Sequence, residues 1–137
     1  MTLVEVLFAT VILTTAVVGL SNVAMTTNHL HAAGVEKSAA LHAAERELAA
    51  VEATNFATIV AAHDGRGFSV TLPGMANAAL RAPPGDLDGL PGSISVTAPT
   101  GDPDHLLEIR VRVDWQGRSG VEHVDRTVRL SLLGASS

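Results

Sequence analysis

Thr2-Leu3-Val4-Glu5-Val6-Leu7-Phe8-Ala9-Thr10-Val11-Ile12-Leu13 opens a run in which no Asp, Glu, Lys or Arg occurs between Glu5 and Glu36. A helix needs roughly 20 predominantly apolar residues to cross the hydrocarbon core of a bilayer. Residues 3–24 meet that length, softened by Thr10, Thr14, Thr15 and Ser21. A chain of 137 residues is too small to wrap so long an apolar rod in its own core. The expectation is therefore a membrane-compatible helix joined to a small domain.

Two details separate this run from a plain anchor. Glu5 places a carboxylate inside an apolar stretch, which costs about 2.5–3.5 kcal/mol at a helix centre and less near an end. Such a charge either sits at headgroup depth or has a partner. The second detail is the missing basic flank: no Lys or Arg precedes Lys37, whereas a signal or signal anchor carries its basic residues ahead of the apolar stretch. A removed N-terminal piece is the expectation.

Thr2-Leu3-Val4-Glu5-Val6-Leu7, with the apolar helix behind it, resembles the start of type IV pilins and type II secretion pseudopilins. Their pattern is Phe-Thr-Leu-Ile/Val-Glu. The resemblance covers about the first 25 residues and departs at Met1, where the family has Phe. It implies a basic leader cut just before Met1, N-methylation of Met1, and insertion in the inner membrane before assembly. It also implies a homopolymeric filament at a bacterial or archaeal-like cell surface, built by pilus or secretion machinery. In such a filament Glu5 would pair with the terminal amine of a neighbouring Met1. Breaking a buried charged pair costs on the order of 3–5 kcal/mol, so Glu5 would set subunit register. Family filaments often lose helicity near position 22, where many members carry Pro. This chain has Asn22, which leaves Gly19 and Asn22 as helix-melting candidates beside the alternative of a continuous helix.

Helical character continues beyond the apolar run. Residues 36–53 are rich in strong helix formers, and Leu41, Ala44, Leu48 and Val51 recur at helical spacing as one apolar stripe. The expected organisation is a helix over 1–55, with 1–25 as its membrane or filament-core half and 26–55 as its amphipathic half, ending near Thr54-Asn55 unless Phe56, Ile59 and Val60 extend it. About 53 residues of helix would measure roughly 80 Å, more than a domain of this mass needs, which favours cover by lipid or by other subunits.

The remainder, 56–137, reads as an antiparallel β domain. Gly, Pro, Asp and Asn crowd 63–105 in turn signals such as Leu72-Pro73-Gly74 and Ala82-Pro83-Pro84-Gly85-Asp86. Short strands are expected at Phe68–Leu72 and Ser93–Thr97. Leu107, Ile109, Val111, Val113 and Trp115 alternate with Glu108, Arg110, Arg112 and Asp114. A turn over 116–120 and a return strand from Val121 to Leu132 complete a hairpin. The fold class is α+β, a long N-terminal helix packed on a small antiparallel sheet. This C-terminal part also resembles minor pilins and pseudopilins of the V and I types.

Composition narrows the function. A net charge of −5 and nine basic residues give no clustered cation surface for phosphate, so nucleic acid is not an expected partner. The chain has no Cys, which removes disulfides, thiolate ligands and a thiol nucleophile. Its six His (29, 31, 42, 63, 105 and 123) have no compact ligand spacing and read as surface or groove residues. Asp86-Leu87-Asp88-Gly89 and Asp102-Pro103-Asp104 offer calcium-type oxygens without the spacing of an EF-hand, so solvated turns are expected there. No phosphate loop or nucleophile elbow occurs. No enzyme, cofactor or metal is expected. Ser and Thr over 93–100 are open to glycosylation. Beside the filament subunit, major or minor, stands a second class: a monomeric membrane-tethered binding module.

Overall fold

The computed structural model describes residues 2–74, 78–99, 106–117 and 119–131. Its elements run helix α1 (Leu3–Glu52), a 3-10 turn (Phe56–Thr58), helix α2 (Ile59–His63), then strands β1 (Gly67–Phe68), β2 (Gly92–Thr97), β3 (Leu106–Gly117) and β4 (Gly120–Ser131). The four strands form one antiparallel sheet in the order β1-β2-β3-β4. The class is α+β, with a 50-residue helix and a four-stranded sheet. The chain divides into two compact units, 1–34 and 35–137, each taken separately below.

In the second unit the core lies between the last turns of α1 and one face of the sheet. On β3, Leu107, Ile109, Val111, Val113 and Trp115 are essentially inaccessible, as the alternation requires. Ile94 and Val96 of β2 and Val124 of β4 join them. Leu41, Ala44, Leu48 and Val51 all face this core, although Leu41 and Leu48 are only half-buried. Ala39, Ala40 and Ala43 are buried as well. Small side chains at these positions let the helix backbone approach the sheet.

α1 ends at Glu52, slightly before the expected Thr54-Asn55. Asn55 then starts a new turn, its Oδ1 accepting from the Ala57 amide at 3.1 Å. Phe56 and Ile59 therefore reach the core from separate short helices rather than from a longer α1. His63 is corrected from a surface or groove residue to a buried one. Its Nε2 lies 2.9 Å from Thr54 Oγ1, and that hydroxyl donates to the Ala50 carbonyl at 2.9 Å. When the hydroxyl proton goes to Ala50, Nε2 carries the imidazole proton and Nδ1 is a buried acceptor without a partner among the described residues.

The strand expected at Phe68–Leu72 is shorter. β1 covers Gly67–Phe68 only, after which Val70 and Leu72 pair with Leu80 and Ala78 through backbone hydrogen bonds. Pro73-Gly74 turns the chain back there. Gly92 faces Phe68, and a Cβ on Gly92 would stand 2.4 Å from the ring, so only glycine fits under it. β3 runs to Gly117 and β4 starts at Gly120, so both strands reach into the expected 116–120 turn.

The other face of the sheet is polar and ion-paired. Arg110 Nη2 donates to Asp125 Oδ2 at 2.5 Å, and Arg129 Nε to Glu108 Oε2 at 2.8 Å. Arg112 grips Asp114 with two bonds of 2.7 Å. The Arg112–Asp114 hydrogen bond raises the Arg112 pKa, and the bond from Arg110 lowers that of Asp125. The charges of this face are held largely among themselves.

Candidate membrane-facing and assembly segment

The first unit is helix with an open surface. Every described side chain from Thr2 to His31 is exposed. Leu3, Phe8, Leu13, Leu20 and Leu30 stand between 64% and 81% exposed. Single exposed apolar residues are ordinary, but a continuous exposed apolar surface marks a contact with lipid or protein. By length and composition α1 can cross a membrane.

The hydroxyls in this stretch look inward to the helix backbone. Thr10 donates to the carbonyl of Val6, and Thr14 to that of Thr10 at 2.5 Å. Thr15 reaches Val11 and Ser21 reaches Val17, each at 2.9 Å. Thr26 and Thr27 bond Asn22 and Val23 in the same way. A Ser or Thr that returns its proton to the carbonyl four residues back leaves no donor for a solvent to satisfy. The hydroxyls thereby shed most of the cost that an unmet donor carries in an apolar medium. Threonine-rich composition is compatible with lipid for this reason.

Glu5 has a local partner. Its Oε2 accepts from the Thr2 amide at 3.0 Å and lies 3.4 Å from the Thr2 hydroxyl. The Glu5 amide in turn lies 3.0 Å from the Thr2 carbonyl and 3.4 Å from Thr2 Oγ1. Thr2 is the N-cap and Glu5 the third helical residue, so the two form a reciprocal capping box. The carboxylate also sits at the positive end of the helix dipole. The cue was present as Thr2-Leu3-Val4-Glu5, a Thr-x-x-Glu ahead of an apolar run. The charge of Glu5 stands out in that run more than its three-residue spacing from Thr2 does. Met1 lies outside the described residues.

Gly19 and Asn22 both lie within α1, which is helical throughout the single chain. Beyond its own helix turn, no described atom lies within 4 Å of where a Cβ would stand on Gly19. Nothing among the described residues therefore calls for glycine at this position.

The remaining candidates are dispersed. Asp86 and Asp88 line a shallow groove with Ser93, Arg112 and Asp114. Asp88 Oδ1 accepts from the Leu90 amide at 2.9 Å, an Asx-type turn. Arg112 occupies both oxygens of Asp114. Among the described residues no group of three or more His, Asp or Glu is placed to hold a metal ion. Asp102 and Asp104 lie outside the described residues, as does His105. No family model matches the chain, and neither a curated protein nor a solved structure matches it.

Proposed function

We propose that this chain is a structural subunit of a type IV pilus-like filament, held in the membrane by α1 and then polymerised through the same apolar surface. The observation that carries the reading is the first 30 residues of helix. They expose apolar side chains on all sides, return their hydroxyl protons to their own backbone, and place a carboxylate at one end. Lipid can cover such a surface first and neighbouring helices later. In the packed state Glu5 exchanges or shares its cap with the terminal amine of the next subunit. Within this reading the chain is the bulk subunit, and a minor subunit or secretion pseudopilin at the filament tip is the variant. The chain carries no catalytic role.

The capping box favours a second reading. Glu5 already has a use within one chain, so a monomeric membrane-tethered binding module needs no second subunit to explain its carboxylate. Comparing Thr2→Ala with Glu5→Ala separates the two. Removing a cap costs about 0.5–2 kcal/mol, whereas stranding one member of a buried pair costs about 3–5 kcal/mol. The filament reading expects Glu5→Ala to abolish filaments in the native cell while Thr2→Ala only reduces their yield. Equal, mild effects of both substitutions on chain level, with filaments unchanged, would establish the tethered monomer.

A further inference from the structure

β4 lies at the edge of the sheet and pairs with β3 along one side only. Among the described residues nothing pairs with its other side, which leaves a row of backbone donors and acceptors open along a 12-residue strand, about twice the common length. Edges of this kind invite another strand and are guarded by charge. Where the charges of β4 fall therefore decides which strand is admitted.

For a second copy of β4, two-fold antiparallel pairing sets residues opposite one another about a central residue. Opposed residues project to the same face, so the centre must fall on a residue and not between two. Centring on Asp125 or Arg126 drives a like-charged pair together at the axis, which is unfavourable. Centring on His123 opposes no charges of opposite sign. Centring on Thr127 opposes a single kind of charged pair, Asp125 with Arg129, and both members are already bonded within the chain, to Arg110 and Glu108. Centring on Val124 is different. It sets Glu122 against Arg126 and His123 against Asp125, each twice by symmetry. Val121 then meets Thr127, and Val124 meets its own copy.

The side chains are free to take these partners. Arg126 has only a loose 3.9 Å approach to Glu45 and is half exposed. The carboxylate of Glu122 lies over Gly117 and has only to swing outward. Asp125 receives Arg110 on Oδ2, which leaves Oδ1 for His123. We infer that the free edge of β4 pairs with β4 of a second copy of this chain, in the antiparallel register centred on Val124. The pairing is isologous and uses no part of α1. It is thus independent of the head-to-tail contacts that build a filament, and either can fail without the other.

The chain has no Cys, so an introduced thiol is unique. The full chain in detergent micelles, oxidised with copper phenanthroline, is read on a non-reducing gel. Val124→Cys is expected to give a disulfide-linked dimer, while Thr127→Cys alone is not. Because Val124 is buried, a second handle uses exposed positions: Val121→Cys and Thr127→Cys chains, mixed, are expected to cross-link to each other. Adding Glu122→Arg is expected to reduce the dimer about tenfold, since two symmetry-related pairs are reversed at once. The swap Glu122→Arg with Arg126→Glu restores it. Cross-linking of Thr127→Cys to itself, failure of both the Val124→Cys and mixed cross-links, or no recovery in the swap would overturn the proposal.

Discussion

The two halves of α1 obey different rules. The first half is the most apolar stretch of the chain and buries none of its described side chains through His31. The second half is alanine-rich and flanked by charges, yet it contributes Ala39, Ala40, Ala43, Ala44 and Val51 to the core. Hydrophobicity alone therefore does not say where a chain folds on itself. A stripe with a polar back finds a partner inside its own domain. A helix apolar all round finds none there, and its partner must be lipid or another chain.

The sharpest break between the halves is in stability. Ile109→Ala empties a fully buried position of β3 and is expected to lower the unfolding free energy of the sheet by about 2–5 kcal/mol. Leu13→Ala, on the exposed half, is expected to leave that unfolding within about 0.5 kcal/mol of the parent, as distant substitutions do. Denaturant titration followed by Trp115 fluorescence measures both. Next in size is Gly92→Ala, where the added methyl meets the Phe68 ring. Overpacking of this kind is expected to cost about 1–3 kcal/mol in the same titration.

Gly19→Ala probes the first half directly. Alanine in place of a helix-interior glycine is expected to stabilise the isolated helix by about 0.5–1 kcal/mol, seen as slower amide exchange around it in micelles. If a neighbouring helix packs on that glycine, the same substitution lowers filament yield even as it strengthens the helix.

The smallest expected effect is the pH response of the polar face. Hydrogen bonding from Arg110 holds the Asp125 pKa below its usual range. A carboxylate depressed in the folded state stabilises above its unfolded value and loses that contribution as the pH falls through the folded one. Asp125→Asn is therefore expected to flatten the acid limb of stability only slightly, because solvent screens so exposed a pair. Chemical denaturation at neutral and acid pH reads the difference.

Much of this was legible in the residues. Alternation over Leu107–Trp115 gave the buried face of β3, and the three- and four-residue spacing from Leu41 to Val51 gave the docking stripe. What escaped depended on contacts made at a distance or on short-range hydrogen bonds. Val70 and Leu72 read as part of one strand because periodicity cannot show that Pro73-Gly74 turns the chain back to pair them with Leu80 and Ala78. His63 read as a surface or groove residue because its tie to Thr54 spans a break between helices. At the candidate segment the apolar run and the odd carboxylate were plain. The Thr2–Glu5 cap was available from spacing but was overshadowed by the charge.

The central claim is that the exposed half of α1 is covered by copies of the same chain. Surface filaments sheared from the native cell, with their subunits identified by intact-protein mass spectrometry, test it directly. The account predicts that this chain is the dominant species. Its recovery solely from the membrane fraction, while filaments of another composition are made, would contradict it.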